Sequence, residues 1–233
     1  MDTVENYDSN SVYLDSHDVS QAIPLHFVGG LTASGKTSLI RELALELEGR
    51  ERLGILQTED GARPLDLPED SLHVVQKLGG ACICCEIFLV FYKAVLSLVQ
   101  SGQVDRILVE LPATADIQQL KMLLKDYGRD RWVEPGPTLV TVDPRNPHFK
   151  RWSAAPLVNR LIDVGDVFVL RFGELASARE MERFLGWVSS FEAGEKRYVI
   201  PQHDQGLAAV VEASLLLPHL GQETDKRVRV STH

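Results

Sequence analysis

The stretch that decides the fold of this chain is Val28-Gly29-Gly30-Leu31-Thr32-Ala33-Ser34-Gly35-Lys36-Thr37. It follows a short apolar run at residues 25–28 and leads into residues 37–47, whose apolar side chains recur three and four positions apart, as in a helix. From Gly30 onward it fits the pattern G-x-x-x-x-G-K-[ST], in which two glycines let successive main-chain N–H groups point at phosphate oxygens. A strand, this loop and a helix in that order predict a phosphate-binding loop for a nucleoside triphosphate.

Beyond the loop, short β-rich runs alternate with helical patterns, which is typical of parallel strands joined by crossover helices. Some of the runs, such as Ile107-Leu108-Val109, are continuously apolar, as strands covered by helices on both faces must be. We therefore predict an α/β fold, a P-loop NTPase three-layer sandwich with a mostly parallel central sheet of about six strands flanked by helices. The predicted strands are residues 25–28, 53–57, 106–110, 138–142, 166–170 and 197–201, and the predicted helices fall within residues 37–47, 87–99, 116–124, 155–162, 178–191 and 207–217.

With 233 residues, the chain is long enough for one sizeable domain and short of two comfortable ones. Residues 1–20 are acidic and contain no Lys or Arg, so we expect a flexible N-terminal arm. We expect a nucleotide-binding domain over residues 21–218 and a flexible tail over residues 219–233. Residues 58–71 contain two prolines, a glycine and several acidic residues, which predicts an exposed loop that is able to move.

The composition excludes several classes of function. The chain has 33 Asp and Glu against 24 Lys and Arg, and its net charge of −9 repels the phosphate backbone of nucleic acids. No apolar stretch approaches the roughly 18 residues that a membrane-spanning helix needs, and the acidic N-terminus is unlike a secretory signal. Only three cysteines occur, which argues against a disulfide framework. We expect a cytoplasmic protein that binds neither nucleic acid nor membrane.

The residues at the end of the loop have the chemistry that phosphoryl transfer needs. Lys36 brings a mobile positive charge to the β- and γ-phosphates, and the Thr37 hydroxyl is suited to coordinate Mg²⁺. The third predicted strand ends in Glu110, where a carboxylate can reach the metal or the attacking water. Lys36 and Glu110 are therefore the predicted catalytic residues, whereas Asp143, after a later strand, is expected to cap its own loop. The predicted nucleotide-binding residues of the loop are Gly30, Ala33, Ser34, Gly35, Lys36, Thr37 and Ser38.

The three cysteines lie within four consecutive residues, directly before an apolar helical pattern. Cys82 and Cys84 fall on the same side of an extended segment, and a turn into the helix brings Cys85 round, so two or three sulfurs can meet one cation. Thiolates suit Zn²⁺, Cu⁺ or similarly soft metals, and three of them leave one tetrahedral position for water, Glu59, His73 or a ligand from a partner. Packing cysteines and a redox pair are the alternatives.

The order of these motifs resembles that in the CobW/YjiA-type family of GTPases, metal-insertion chaperones related to HypB and UreG, over about residues 24–217. Residues 28–37 are similar to the family's G-F-L-G-A-G-K-T loop, and Cys82-Ile83-Cys84-Cys85 is similar to its G-C-x-C-C motif. Leu139-Val140-Thr141-Val142-Asp143 is similar to the family's V-V-T-V-V-D strand, and residues 158–170 to the helix and strand before its base-recognition motif. The resemblance covers the nucleotide-binding domain only, and it implies GTP with Mg²⁺ as the ligand.

The resemblance also assigns two acidic residues. Thr58-Glu59-Asp60-Gly61-Ala62 is similar to the family's N-E-F-G-E, which implies Glu59 as a metal ligand, with Ala62 in place of the second acid. Glu110 opens a segment similar to E-T-[TS]-G-x-A-[DE]-P, in which this chain keeps the acid and lacks the glycine that contacts the γ-phosphate.

The base-recognition motif departs from the family. Arg171-Phe172-Gly173-Glu174 stands where the family reads guanine with N-K-x-D, so Glu174 is the implied acceptor for the base edge. Because an arginine plane or an aromatic ring can stack on any purine, Arg171 and Phe172 predict a base site that accepts GTP or ATP.

These features favour one function over two others. The chain is predicted to be a slow NTPase, without an evident catalytic arginine, in which nucleotide state acts through residues 58–71 and 82–85 on the binding or release of a metal such as Zn²⁺. A non-hydrolysing module that holds nucleotide or metal and acts through a partner is the first alternative, and a small-molecule kinase is the second. A metalloprotein client and a homodimer are the protein partners left open.

Overall fold

The computed structural model describes residues 22–58, 64–78, 88–127, 132–145, 156–189 and 197–199, in which strands and helices alternate. The strands are β1 (Ile23–Gly30), β2 (Leu53–Gln57), β3 (Val74–Lys77), β4 (Arg106–Glu110), β5 (Val133–Pro135), β6 (Leu139–Val142), β7 (Val167–Leu170) and β8 (Arg197–Val199). The helices are α1 (Lys36–Leu47), α2 (Phe88–Gln100), α3 (Ile117–Tyr127), α4 (Pro156–Val164) and α5 (Ala178–Ser189), with a short 3₁₀ helix, Gly173–Leu175, before α5. Among these described helices, none has the length and apolar character needed to cross a membrane.

The described strands join one sheet in the order β3-β2-β4-β1-β6-β7-β8, and β5 pairs with the start of β1. All of these pairings are parallel, as expected when helices connect the strands. Val28 of β1 is in register with Glu110 on one side and with Leu139 on the other. The strand order therefore reverses at β1, and ligands of open parallel sheets bind beyond the carboxyl ends of the strands at such a point. The loop after β1 occupies that place.

Helices cover both faces of the sheet. In β4, Ile107 and Val109 are fully buried in one cluster with side chains of α2 and α3, while Leu108 between them is buried in a second cluster with side chains of α1. Alternate residues of a strand point to opposite faces, so the two clusters are the two sides of one sheet. Each of these side chains contributes about 1.5–3 kcal/mol relative to exposure. The predicted three-layer α/β sandwich is confirmed.

Six of the strands are those expected from the sequence, and two are not. β3 is a four-residue strand at the edge of the described sheet, and its half-buried and exposed residues alternate, so its apolar signal is weak. β5 contains Pro135 and precedes Gly136 and Pro137, a composition that indicates a turn. The five predicted helices that fall on described residues are present, with shifted ends. The predicted helix at residues 207–217 lies outside the described residues, as do the predicted arm and tail.

The described part of the predicted mobile loop, residues 64–71, is largely exposed but anchored near α1. Leu65 and Leu67 pack against the cluster formed by α1. At the end of the loop, the hydroxyl of Ser71 donates to the Glu48 carboxylate at 2.7 Å, and this hydrogen bond lowers the pKa of Glu48 below its usual value. Because Glu48 directly follows α1, the loop is tied to the helix that begins at the phosphate-binding motif.

A buried polar network lies at the amino end of β4. Its first residue, Arg106, donates to the Glu51 carboxylate at 2.8 and 3.1 Å and, from Nη1, to Nε2 of His26 at 2.9 Å. The His26 proton is therefore on Nδ1, which donates to the carbonyl oxygen of Pro137 at 3.1 Å. Burial, and after it the charge of Arg106, lower the pKa of His26 from 6.5 to about 4. The arginine charge is thus balanced by a carboxylate, and the imidazole stays neutral.

Candidate nucleotide-binding site

The loop between β1 and α1 has the curled backbone that phosphate binding requires. Gly30, Ala33 and Gly35 have φ angles of 145°, 62° and 94°, in the region that favours glycine. A Cβ at Gly30 would lie 2.5 Å from Ser34 Oγ and 2.7 Å from the carbonyl oxygen of Thr141, so a side chain does not fit there. Gly35 is the residue from which α1 begins, which brings the positive end of the helix dipole to the loop.

The loop is fastened to β6 by two buried hydroxyl groups. Ser34 Oγ lies 2.6 Å from Thr141 Oγ1, and Thr141 donates onward to the carbonyl oxygen of Gly29 at 3.3 Å. Ser34 is therefore the donor in the first of these bonds. Thr141 was not among the predicted site residues, although its position as a polar residue near the carboxyl end of an apolar strand is a signal that could have found it.

Lys36 is buried at the loop itself. Its Nζ donates to the carbonyl oxygens of Gly30 and Leu31 at 3.1 and 3.2 Å, and its residue exposure is 3%. These contacts hold an ammonium group against the main chain of the phosphate loop, where it can meet an anionic ligand. The structure thus places Lys36 where the sequence motif puts the lysine that contacts phosphates.

Glu110, the last residue of β4, is fully buried and receives hydrogen bonds from two neutral side chains. Thr37 donates to its Oε1 from the first turn of α1, and Gln57 donates to its Oε2 at 2.8 Å from the end of β2. Thr58 donates to the main-chain oxygen of Glu110 at 2.6 Å. A hydroxyl and a carboxylate beside a phosphate loop supply hard oxygen ligands, which fit Mg²⁺.

Gln57 and Thr58 are functional candidates that the sequence analysis missed. The register of β2 against β4 places Gln57 directly opposite Glu110, and this pairing is set by the sheet rather than by any local motif. Thr58 follows it and is the first residue of the loop that leads toward Glu59. The contacts of these two residues connect Glu110 with the start of that loop.

On the other side of β1, Arg171 follows β7 and is held by Glu42 of α1. Both terminal guanidinium nitrogens donate to the Glu42 carboxylate at 2.7 Å, and the Arg171 side chain is only 11% exposed. Arg171 Cγ lies 3.1 Å from the position that a Cβ of Gly35 would occupy. The guanidinium group predicted to stack on a base is therefore engaged by Glu42 and rests against the phosphate loop.

Phe172 adopts a left-handed backbone conformation, φ 59°, which is strained for a residue with a side chain. The guanidinium carbon of Arg145 lies 4.9 Å from the centre of its ring, and that of Arg171 lies 5.8 Å away. Arg145 is also paired with Asp143, whose Oδ1 accepts from the Arg145 main-chain N–H at 2.9 Å. This bond closes the loop after β6, so the expectation that Asp143 caps its own loop is confirmed. Glu174 lies in the 3₁₀ helix, and its side chain is outside the described part of the structure.

The predicted metal ligands Glu59, Cys82, Cys84 and Cys85 lie outside the described residues. The alternative ligand His73 is excluded by its contacts, because Nδ1 accepts from the main-chain N–H of Leu53 at 3.0 Å and Nε2 donates to the carbonyl oxygen of Ala44 at 2.7 Å. Neither ring nitrogen is left for a metal. Within the ranges that the structure describes, no three His, Cys, Asp or Glu side chains are grouped so as to hold a metal ion.

A parallel α/β sheet with a phosphate loop at its reversal point, and a Thr–Glu pair beside that loop, defines a P-loop nucleotide-binding domain. The family described as "CobW/HypB/UreG, nucleotide-binding domain" matches residues 24–197, about three quarters of the chain. The chain belongs to that family.

Similarity to individual proteins extends over part of the chain. It is 29% identical over 122 residues to "Zinc chaperone YeiR" of Escherichia coli, covering 52% of this chain and 37% of that protein. It is 27% identical over 135 residues to "Zinc-regulated GTPase metalloprotein activator 1" of Saccharomyces cerevisiae, covering 54% of this chain and 30% of that protein. The fold is similar to that of Zn(II)-bound YjiA GTPase from E. coli, with a TM-score of 0.57 at 15% identity over 80% of this chain and 59% of that one. The chain thus matches well under half the length of the two named relatives.

Proposed function

We propose that this chain binds a nucleoside triphosphate with Mg²⁺, hydrolyses it slowly, and couples its nucleotide state to the binding or delivery of a transition metal such as Zn²⁺. The contact that carries the first part is the hydrogen bond from Thr37 to the buried carboxylate of Glu110, next to the phosphate loop. The names of the relatives, a zinc chaperone and a zinc-regulated GTPase, support the second part.

In the proposed reaction, water attacks the γ-phosphate. The main-chain N–H groups of the loop and the ammonium of Lys36 hold the phosphates and stabilise the charge that develops on them. Thr37 and Glu110 would hold Mg²⁺, which supplies further compensation of phosphate charge. Glu110 orients the metal or the attacking water from a position fixed by its two hydrogen bonds.

The proposed coupling runs through Gln57 and Thr58. Gln57 binds the carboxylate of Glu110 and Thr58 binds its carbonyl oxygen, so a ligand that reorganises Glu110 acts on the first residue of the loop that includes Glu59. Glu59 and the cysteines Cys82, Cys84 and Cys85 are the proposed metal ligands, with thiolates that suit Zn²⁺.

Two measurements on the purified full chain test this function. Steady-state hydrolysis of GTP and of ATP, compared with a Lys36→Ala variant, is expected to be slow and to depend on Lys36. Metal content after anaerobic purification, with and without a nonhydrolysable nucleotide, is expected to change with nucleotide and to be lost when the three cysteines are replaced by serine. Fast turnover that persists in Lys36→Ala contradicts the hydrolysis, and metal content indifferent to nucleotide contradicts the coupling.

A second candidate function is nucleotide binding without hydrolysis, in which the chain acts through a protein partner. Pro112 stands in the segment after Glu110 and has no main-chain N–H, and the N–H of Leu111 is taken by the carbonyl oxygen of Val28 at 3.0 Å. The segment therefore offers fewer donors to a γ-phosphate. Saturable nucleotide binding with no release of phosphate above the Lys36→Ala background selects this candidate, and transfer to an acceptor other than water selects a kinase.

The remaining assignments complete the proposal. A nucleotide-binding domain over residues 21–218, between an arm at 1–20 and a tail at 219–233, would work in the cytoplasm with a metalloprotein client. Size-exclusion chromatography with light scattering, with and without nucleotide, decides whether the chain forms a homodimer.

A further inference from the structure

Thr141 of β6 contacts the phosphate loop near both of its ends. It lies opposite Gly30 in the register of the two parallel strands, so it faces the residue at which the loop leaves β1. Its hydroxyl donates to the carbonyl oxygen of Gly29 at 3.3 Å and accepts from the hydroxyl of Ser34 at 2.6 Å. Ser34 directly precedes Gly35, from which α1 begins. One side chain of a neighbouring strand thus holds the start of the loop and its end.

The contact between the two hydroxyls is buried. Ser34 and Thr141 are each 2% exposed, and a Cβ at Gly30 would overlap Thr141 Oγ1. The main-chain N–H of Ser34 donates to the carbonyl oxygen of Leu31 at 3.1 Å, which closes a turn inside the loop. A buried hydroxyl that loses its acceptor is costly, so the shape of this turn is coupled to the bond between Ser34 and Thr141.

The residue before Ser34 shows why the loop needs such an anchor. Ala33 has a φ angle of 62°, a left-handed conformation that glycine adopts readily and that residues with a Cβ adopt at a cost. Ala33 is exposed, so its own burial contributes little to holding this conformation. A strained backbone persists where its surroundings fix it, and the bond from Ser34 to Thr141 fixes the chain next to Ala33.

We propose that Thr141 is a positioning residue for nucleotide binding, which keeps the phosphate loop in its anion-binding shape before any ligand arrives. It acts through Ser34, whose fixed position orients the main-chain N–H groups that the loop presents to phosphate oxygens. A site formed in advance binds more tightly, because less ordering accompanies binding. Both hydroxyl protons are used within the protein, so the effect belongs to binding and not to the attack of water. This assignment rests on the proposed binding of a nucleoside triphosphate and adds a residue that prepares the site.

Calorimetric titration of the full chain with Mg²⁺ tests the assignment, with the diphosphates and the nonhydrolysable triphosphate analogues of guanosine and adenosine. Thr141→Val keeps the shape of the side chain and removes its hydroxyl. Each nucleotide that the unmodified chain binds is expected to bind this variant about 10-fold more weakly, the effect of one buried hydrogen bond. Diphosphates and triphosphates should lose affinity by the same factor, because the loop holds the β-phosphate that both contain. Thr141→Ser, which restores the hydroxyl, is expected to bind within about threefold of the unmodified chain.

Thr138→Val is the matched control. Thr138 directly precedes β6 and is also fully buried, but its hydroxyl has no hydrogen-bond partner among the residues that the structure describes. The same chemical change, made three positions from Thr141, should therefore leave nucleotide affinity unaltered.

Two further readouts separate positioning from a contribution to fold stability alone. In steady-state hydrolysis, Thr141→Val is expected to raise KM about 10-fold with little change in kcat, because only binding is affected. Ser34→Ala, which leaves β6 intact, is also expected to weaken binding. The double variant is expected to bind no more weakly than Thr141→Val, because both substitutions remove the same bond.

Four results overturn the inference. The first is an affinity of Thr141→Val, or of Ser34→Ala if the former does not fold, within about threefold of the unmodified chain. The second is an equal loss of affinity in Thr138→Val, which would trace the effect to a general disturbance of β6. The third is a fall in kcat at unchanged KM, and the fourth is additive losses from Ser34→Ala and Thr141→Val. Absence of saturable binding by the unmodified chain is a different outcome, because it overturns the proposed function itself.

Discussion

The two ends of β4 carry buried charged side chains whose hydrogen-bond partners differ in charge. At the amino end, Arg106 is paired with Glu51 and donates to the neutral ring of His26. At the carboxyl end, Glu110 is fully buried, and its carboxylate is bonded by the neutral groups of Thr37 and Gln57. The first charge is balanced by an opposite charge of the chain, whereas the bonds at the second come from a hydroxyl and an amide.

This difference separates a structural site from a functional one. A buried charge is stable when it is paired and hydrogen-bonded, so the amino end of β4 is complete within the chain. Neutral donors orient a carboxylate and leave its charge to be compensated by a cation, which is the role proposed for Mg²⁺ beside Thr37. Substitutions at the amino end should therefore affect stability, and substitutions at the carboxyl end should affect nucleotide chemistry.

The largest effect is expected at Glu110. Glu110→Gln keeps the shape of the side chain and removes its charge, so the rate of nucleotide hydrolysis is expected to fall about 10²–10³-fold, as when a group that stabilises the transition state is removed. The free energy of unfolding should stay the same or rise, because a buried charge has been removed. Phosphate release and urea denaturation measure the two quantities. A stability loss as large as the loss of activity would mean that Glu110 is a structural residue.

The second-largest effect is expected at the amino end of β4. Arg106→Met leaves the Glu51 carboxylate without its guanidinium partner, and the free energy of unfolding is expected to fall by about 3 kcal/mol, near the low end for a broken buried pair because Glu51 is partly exposed. Affinity for nucleotide, measured by calorimetry at a temperature where the variant is folded, should be unchanged. A clear loss of affinity would show that the two ends of β4 are not independent.

The network around Arg106 at the amino end of β4 also makes the free energy of unfolding depend on pH. The pKa of His26 is lowered to about 4 in the folded chain from 6.5, so protonation favours the unfolded state. The contribution of His26 to stability is complete above pH 6.5 and is lost as the pH falls toward 4, by about 2 kcal/mol between pH 7 and pH 5. Urea denaturation at several pH values measures this dependence. The free energy of unfolding is expected to fall less steeply with decreasing pH in His26→Gln, because glutamine still accepts from Arg106 but does not titrate. An equal dependence of the free energy of unfolding on pH in the two proteins would show that His26 does not cause it.

The sequence predicts only part of the candidate nucleotide-binding site. A contiguous motif identifies Gly30, Lys36 and Thr37. The end of an apolar strand identifies Glu110. Gln57 could not be located, because its role comes from the register of β2 against β4, and register depends on distant parts of the chain.

The sequence also does not show which partner a long side chain binds when several are within its reach. Arg171 was expected to stack on a base, but the sequence does not indicate that α1 presents Glu42 to it, 129 positions away. The short strands β3 and β5 were missed for a different reason. One lies at the edge of the described sheet with little apolar signal, and the other contains a proline.

The smallest effect is expected at Gln57, and it tests whether the bonds to Glu110 orient the carboxylate. Gln57→Met keeps the volume of the side chain and removes the amide that donates to Glu110 at 2.8 Å. The Mg²⁺ concentration for half-maximal hydrolysis is expected to rise about 5-fold, the effect of one lost hydrogen bond, with little change in the rate at saturating Mg²⁺. Gln119→Met, an exposed change on α3, is the matched control. A fall in the saturated rate with no change in Mg²⁺ requirement would place Gln57 in the hydrolysis step itself, because an orienting bond changes how readily the carboxylate accepts its cation.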